Sequence, residues 1–172
     1  EKETMPVIVR NLDDDAATII MVDSNLQRES LLPSERAYAY KMKLEAMKRQ
    51  AGRPSKNPAQ IGRNIERKES REILAEQVGE SRNQISRYIR LTQLIPALLD
   101  MVDEKKIAFN PAYELSFLSP EEQRMVLDGM DYAQATPSLS QDQRLKRFSQ
   151  EGKLSANVIQ AILSEEKKSE WD

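Results

Sequence analysis

The residues best suited to chemistry lie between Ser81 and Arg90, a run rich in arginine and amide side chains. If this run is a helix, with about 100° between successive residues, Asn83, Ser86, Arg87 and Arg90 share roughly 100° of arc. Arg82 and Gln84 fall in its first turn, where recognition helices meet base edges. Arginine can read guanine, and asparagine or glutamine can read adenine. The sequence predicts a DNA-contacting face comprising Ser81, Arg82, Asn83, Gln84, Ser86, Arg87 and Arg90.

The elements that would position this face form a helix-turn-helix over residues 71–90. A first helix ends at Val78, and Gly79 suits the left-handed conformation of a tight exit. Ser81 can cap a second helix, with Gln84 completing a capping box. The inner, apolar faces of the two helices comprise Leu74, Ala75, Val78, Ile85, Tyr88 and Ile89.

The charge distribution supports nucleic-acid binding, although the whole chain carries a net charge of −2. Residues 53–93 hold 9 basic and 5 acidic side chains, which gives this segment a net charge of +4. A phosphate backbone responds to local charge. The alternative is an ordinary pair of packed helices with a solvated basic face. The combination of motif, capping and a basic face without carboxylates favours DNA binding.

The composition excludes several classes of function. The chain has no Cys and no His, which removes disulfides, the usual zinc sites and Ser-His or Cys-His nucleophile pairs. No apolar run approaches membrane-spanning length, and no signal peptide is recognisable, so we expect a cytoplasmic protein. The first residue is Glu1 and not Met, so we expect a fragment of a longer protein.

The segment before the helix-turn-helix is predicted to contain a short strand, two helices and a hinge. Residues 5–10 (MPVIVR) are β-branched and predict a strand. Carboxylates at Asp13 to Asp15 suit a helix start, and a polar stretch from Asp23 to Ser30 follows. A helix is then predicted from Pro33 to about Arg49. The Gly- and Pro-containing segment Gln50 to Asn64 predicts a solvated hinge, with phosphate contact as the alternative.

The remainder of the chain predicts helices. Ser119 begins a capping box with Glu122, Ser140 and Gln143 suggest another, and Ser155 can cap a last helix through Leu163. The predicted fold is mainly α, with a truncated α/β N-terminal piece followed by an all-helical helix-turn-helix DNA-binding domain. The predicted division is residues 1–49 as the N-terminal piece, 50–68 as the linker and 69–172 as the DNA-binding domain with supporting helices.

Two segments of the chain resemble the ParB family of DNA-partition proteins. Residues 24–31 (SNLQRESL) are similar to that family's Glu-Asn-x-Gln-Arg-Glu-x-Leu motif, and residues 79–94 (GESRNQISRYIRLTQL) to its Gly-x-Ser-Arg…Arg-Leu…Leu helix. Lys106-Ile107 and residues 110–115 sit where the family continues. The resemblance implies a homodimer that binds a palindromic, centromere-like site and works with a ParA-type ATPase. It also implies a pocket for CTP and Mg²⁺, in which Asn25 and Arg28 face the triphosphate and Glu29 supports the loop.

The chain departs from the family pattern at three places. Ser24 replaces the acidic residue of the nucleotide motif, and Tyr113 stands where the family's Gly-His-Ala-Arg segment has a basic residue. In the family, an Arg-rich phosphate-binding motif precedes the strand that corresponds to residues 5–10. The present sequence does not include that motif, so we expect this chain to bind CTP weakly. Without the resemblance, residues 24–29 would be read as a plain helix connection.

These observations predict sequence-specific DNA binding that serves the segregation of a chromosome, plasmid or mobile element. A transcriptional regulator with the same reader helix is one alternative. A CTP-dependent DNA clamp with CTPase activity in the full-length protein is the other. We expect the protein to be associated with the nucleoid.

Overall fold

The computed structural model describes residues 4, 6–28, 30–52 and 70–165. Throughout these residues the regular structure is helical, which confirms the mainly α prediction. The helices are α1 (Asp14–Leu26), α2 (Pro33–Gly52), α3 (Ser70–Val78), α4 (Arg82–Leu91), α5 (Pro96–Asp103), α6 (Phe109–Leu115), α7 (Pro120–Ala133), α8 (Leu139–Gln150) and α9 (Ala156–Leu163).

Several helices start where the sequence supplies a capping side chain. Asp13 accepts a hydrogen bond from the Ala16 amide at 2.8 Å, and Ser155 caps α9 as predicted. Ser119 and Glu122 form both halves of the predicted capping box. Each such cap satisfies an amide that the first turn of the helix leaves unpaired.

The capping box of α8 lies two residues earlier than predicted. Ser138 and Gln141 form it, in place of Ser140 and Gln143. Both pairs have the right spacing, so burial decides between them. Starting at Leu139 buries Gln141, whose side-chain amide also donates to the Ile162 carbonyl of α9 at 2.6 Å.

The main hydrophobic core lies among α5 to α9 and extends to the end of α4. Its fully buried members include Leu91, Leu98, Leu115, Leu145 and Ile159. Helices α5 to α9 therefore support the C-terminal end of α4, the predicted reader helix.

A buried amide fixes the loop that leaves α4. The side-chain oxygen of Gln123 accepts a hydrogen bond from the Ile95 amide at 2.7 Å. Its side-chain nitrogen donates to the carbonyls of Gln93 at 3.1 Å and Leu118 at 3.0 Å. Because Gln123 is wholly inaccessible to solvent and its amide group is satisfied at both ends, it joins α7 to the ends of α4 and α6.

Helix α2 packs on both helices of the helix-turn-helix. Its Tyr40 and Leu44 form a second core with Leu74 of α3 and Ile85 of α4. The carboxylate of Asp103, at the end of α5, accepts a hydrogen bond from the Ser34 amide at 3.0 Å. Helix α2 is therefore a structural support of the reader helix.

The predicted N-terminal strand does not form in the described part of residues 5–10, and Met5 lies outside it. Residues 6–10 have no regular secondary structure, and Val7, Ile8 and Val9 are 77%, 84% and 91% exposed. A strand needs a partner for its backbone hydrogen bonds. The described residues provide no such partner, so the α/β character expected of this piece is not shown.

The first two helices run further than predicted. Helix α1 continues to Leu26, so residues 23–26 are helical although the sequence suggests a polar connection there. Helix α2 continues to Gly52, three residues past the predicted end at Arg49. Residues 53–69 lie outside the described residues, and with them most of the predicted hinge. The division into residues 1–49, 50–68 and 69–172 stays a prediction.

Asp142 predicts a pH-dependent stability. It is completely buried in α8, and neither carboxylate oxygen is hydrogen-bonded to any described residue. Burial, reinforced by the Glu114 carboxylate, raises the pKa of Asp142 from 3.8 to about 8. Between these values the unfolded chain releases this proton while the folded protein keeps it. The free energy of unfolding should therefore fall as the pH rises from about 4 to 8.

Replacing Asp142 with Asn should remove that fall, because the amide is neutral at every pH in this range. The free energy of unfolding of D142N, relative to that of the parent protein, should therefore rise by a few kcal/mol from pH 4 to pH 8, on the order of 1.4 kcal/mol per unit of pKa shift. Urea unfolding at both pH values measures the gain. Asp128→Asn, at an exposed position on α7, is the matched control. Equal pH dependence in D142N and the parent would contradict the assignment.

Gly129 marks the closest approach of α7 to α9. A Cβ atom added there would lie 2.8 Å from Ile159 Cγ2 and 3.0 Å from Leu163 Cδ1. Alanine normally gains about 1 kcal/mol over glycine inside a helix, but overpacking costs about 1–3 kcal/mol. We expect G129A to destabilise the protein by about 1 kcal/mol in thermal unfolding. Gly52→Ala, where a Cβ meets no described atom within 4 Å, should not be destabilising; a stabilised G129A would refute the close contact.

Candidate nucleic-acid interface

The turn between α3 and α4 has the conformation that the sequence predicts. Gly79 has a φ of +70°, which favours glycine, and the Glu80 amide donates to the Ala75 carbonyl at 3.2 Å. Ser81 has extended backbone angles, and its hydroxyl accepts a hydrogen bond from the Gln84 amide at 3.1 Å. The second half of the predicted box is not made, since the Gln84 side chain bonds to no described residue. The predicted helix-turn-helix is thus confirmed, with a simpler cap.

Glu80 anchors this turn to α2. Its Oε1 accepts hydrogen bonds from Arg36 Nη1 at 3.2 Å and from the Tyr40 hydroxyl at 3.0 Å. Burial, together with the nearby Glu80 carboxylate, raises the pKa of the Tyr40 phenol well above its ordinary value. The phenol therefore remains a donor at neutral pH. The Arg36 guanidinium also lies 5.4 Å from the ring centre of Tyr88 on α4.

The inner side of α4 is covered, as predicted. Ile85 and Leu91 are fully buried, and Tyr88 contacts Tyr40 at a ring-centre distance of 5.8 Å and Phe109 at 4.7 Å. These aromatic contacts hold α4 between α2 and α6, so within the described ranges the inner side of α4 is covered by protein.

The predicted reading residues differ in exposure. Ser81, Arg82 and Asn83 are exposed at the start of α4, while Gln84, Ser86, Arg87 and Arg90 are half-buried. Arg82 Nη1 lies 3.3 Å from Glu72 Oε1 of α3, and both side chains remain close to half exposed. An ion pair of this exposure contributes about 0–1 kcal/mol and can yield to a phosphate or a base.

Arg87 is held by α6. Its Nη2 donates a hydrogen bond to Asn110 Oδ1 at 2.6 Å. The guanidinium carbon also lies 4.8 Å from the ring centre of Tyr113 and 5.4 Å from that of Phe109. Cations at these distances from an aromatic face are attracted by the electrons of the ring.

Arg90 docks α4 onto the turn that follows α6. Its Nη2 donates to the Ser116 carbonyl at 3.0 Å, and its guanidinium lies 4.3 Å from the ring centre of Phe117. Its Nε is buried and has no partner among the described residues. Arg90 therefore shares an arc with Asn83, Ser86 and Arg87 by periodicity, but its charged group faces the protein.

Sequence reasoning missed the part of α6 that completes this surface. Phe109 and Tyr113 lie on α6, and Phe117 lies in the turn that follows it; the three rings recur at intervals of four residues. Arg87 lies over the rings on α6, and Arg90 lies over the ring of Phe117. Lys146 of α8 lies 3.7 Å from the ring centre of Phe117. The signal was therefore present, but it pointed to core packing as readily as to arginine contacts.

The residues of the nucleotide motif lie at the end of α1. Asn25 is half-buried and Arg28 is exposed, while Glu29 is outside the described residues. Next to them is a cavity of about 410 Å³ between α1, α2 and α3. Neither Asn25 nor Arg28 lines it; Asp23, Gln27, Arg36, Tyr40, Lys43 and Glu80 do.

The cations of this cavity are already paired. Lys43 is 3% exposed and its Nζ contacts the Asp23 carboxylate, while Arg36 is paired with Glu80. The described residues contain no cluster of three acidic side chains that could hold a metal ion. The two cations that line the cavity, Lys43 and Arg36, are thus each balanced by a carboxylate.

A separate observation concerns membranes. None of the helices in the described ranges is both long and apolar enough to cross one.

Comparison with known proteins gives a consistent picture. Residues 62–136 match the family described as ParB HTH domain. A nucleoid occlusion protein of Listeria monocytogenes serotype 4a is 32% identical over 127 residues, which is 74% of this chain and 37% of that protein. The chromosome-partitioning protein Spo0J of Thermus thermophilus is 29% identical over 120 residues, which is 70% of this chain and 37% of that protein.

A probable chromosome-partitioning protein ParB of Borreliella burgdorferi is 28% identical over 122 residues, which is 70% of this chain and 38% of that protein. The chain thus spans 37% to 38% of the length of these relatives. The helix pair α3–α4, its capped turn and these similarities agree, and the chain is a ParB-like protein that carries a ParB helix-turn-helix domain.

Proposed function

We propose that the protein binds DNA sequence-specifically by placing α4 in the major groove, and that this binding serves chromosome or plasmid partition. The observation that carries the proposal is the first turn of α4, where Ser81, Arg82 and Asn83 are exposed on a helix whose opposite side is buried. Helix α4 contains no Asp or Glu. An α-helix fits the major groove, where each base pair presents its own pattern of donors and acceptors.

The choice of partition rests on the relatives. Two of them are named chromosome-partitioning proteins, and another is named a nucleoid occlusion protein. By resemblance, the protein acts as a homodimer on a palindromic site together with a ParA-type ATPase, and it associates with the nucleoid. Each monomer would then place one α4 in one half-site.

A transcriptional regulator with the same reader helix is the competing function. Chromatin immunoprecipitation across the replicon separates the two functions. Clustered palindromic sites with spreading into flanking DNA support partition. Isolated sites at promoters support regulation and contradict the partition proposal.

The role of α4 predicts the effect of two substitutions. Arg82→Ala and Arg87→Ala should each weaken binding to the preferred site by about 1–3 kcal/mol, the value of one arginine–guanine contact. Fluorescence anisotropy with a duplex selected from a random pool, and with an unrelated duplex, measures both affinities.

Arg124→Ala is the matched control for these substitutions, because Arg124 is an exposed arginine of a different helix, α7. A substitution that weakens both duplexes equally marks a phosphate contact and not a base contact. Unchanged affinity in both R82A and R87A would refute the assignment of α4 as the reader.

Binding of CTP and Mg²⁺, which the family resemblance implies, requires more than this chain supplies. This proposal is supported by the pairing of Lys43 with Asp23 and of Arg36 with Glu80, which leaves the cavity beside residues 24–31 without excess positive charge. A CTP-dependent clamp with CTPase activity would therefore depend on residues outside the present sequence.

We expect isothermal titration calorimetry with CTP and Mg²⁺ to give a dissociation constant above about 1 mM for this chain. A protein extended upstream by an Arg-rich motif should bind more tightly, because its added cations are not committed to carboxylates. Mg²⁺ without CTP is the control titration. Tight binding by the present chain would overturn this account, and no binding by the extended protein would remove the nucleotide pocket altogether.

A further inference from the structure

Arg87 is an arginine of α4 that is positioned by another helix through uncharged groups. Asn110, Phe109 and Tyr113, the residues that hold it, all belong to α6. An amide oxygen and two rings are uncharged partners, so no carboxylate among these contacts offsets the positive charge of the guanidinium. Arg82, in contrast, is paired with the Glu72 carboxylate, and Arg90 is turned onto Ser116 and Phe117.

The contact with Asn110 leaves Arg87 able to read a base. A guanidinium has five N–H donors and offers two forks, one from Nε and Nη2 and the other from Nη1 and Nη2. Each fork uses a different proton of Nη2. The bond to Asn110 Oδ1 occupies one Nη2 proton, so one complete fork remains for the O6 and N7 atoms of a guanine.

The position of Tyr113 adds a second argument. Tyr113 occupies the place where the family resemblance leads us to expect a basic residue. The Arg87 guanidinium lies 4.8 Å from the centre of the Tyr113 ring. A cation is therefore present at this point of the surface, but it comes from α4 and not from α6.

We infer that Arg87 reads a guanine and that Asn110 and Tyr113 are positioning residues, which set the sequence preference without contacting a base. A side chain held in its binding geometry before the encounter loses less freedom on binding. The discrimination at one base pair thus depends on α6 as well as on α4. This inference rests on the proposed DNA-binding function.

The first experiment distinguishes the two-pronged hydrogen bonding of the Arg87 guanidinium from the effect of its positive charge. Sites are selected from a random duplex pool by the whole 172-residue chain, and affinities are then measured for the four base pairs at each position of the preferred site. Arg87→Lys keeps the charge but not the fork. We expect R87K to lose about tenfold or more of the guanine preference at one position, with its affinity for an unrelated duplex unchanged.

The second experiment tests the positioning role. Asn110→Ala and Tyr113→Leu should lower the preference at the same base pair by about threefold to tenfold, and neither should lower it further in an R87K background. Asn110→Asp should retain the preference, because a carboxylate oxygen can still accept the hydrogen bond from Arg87. Its negative charge should weaken affinity for both duplexes.

Two controls are needed, one for the effect of an unrelated surface substitution and one for loss of structure. Tyr132→Leu, at a position 75% exposed on α7, should leave the preference at every base pair unchanged. Thermal unfolding of each variant shows that it is folded at the temperature of the binding assay.

The outcomes distinguish this inference from the proposed function. If the parent chain selects no preferred sequence, sequence-specific binding fails and this inference fails with it. If the parent selects a site that R87K reads equally well, the inference alone is wrong. If N110A changes the preference at a base pair that R87K does not affect, Asn110 contacts the DNA itself and its positioning role is overturned.

Discussion

The structure depends on how α4 is held, because a reader helix must expose one side and bury the others. Ile85 and Leu91 supply the buried side, and the turn before α4 is fixed by Gly79, Ser81 and the contacts of Glu80 with α2. Burial of Ile85 against Tyr40 and Leu44 makes α2 part of the same core. The orientation of the reading side is therefore set by residues that lie far apart in the sequence.

The aromatic face of α6 performs a second task in this arrangement. Tyr88 packs against Phe109 at a ring-centre distance of 4.7 Å. Arg87 lies over the Tyr113 ring of the same helix, and Arg90 lies over the Phe117 ring in the turn that follows it. Arginine can lie flat on a ring while its donors remain at the edge of the contact. One surface of α6 can thus bury the side of α4 and also position a polar group at its rim.

The local elements could be predicted from the sequence because each is determined by neighbouring residues. Ser81, Ser119 and Ser155 cap the helices that their spacing indicates, and Gly79 adopts the positive φ that its place in the turn requires. The strand expected at residues 5–10 failed where it is described, since a strand depends on a partner elsewhere. The box at Ser138 was misplaced because two serines offered the same spacing and long-range burial chose between them.

The site could be predicted only in part for the same reason. Periodicity grouped Arg90 with Asn83, Ser86 and Arg87, but it carries no information on the helix that packs alongside. The roles of Arg87 and Arg90 diverge because Asn110 lies beside one and the Ser116 carbonyl beside the other. These contacts join residues 23 and 26 positions apart, which no local pattern in the sequence reveals.

The distribution of charged partners explains how a chain with a net charge of −2 can present a DNA-binding surface. Carboxylates neutralise several cations directly: Asp23 pairs with Lys43, Glu114 with Lys146, Glu165 with Arg144, and Glu72 with Arg82 at the start of α4. On α4, the arginines at 87 and 90 contact an amide, a carbonyl and aromatic rings, none of which carries a charge. The positive field of α4 therefore persists beside acidic helices, and a phosphate backbone within a Debye length of about 10 Å senses that local field before the total charge.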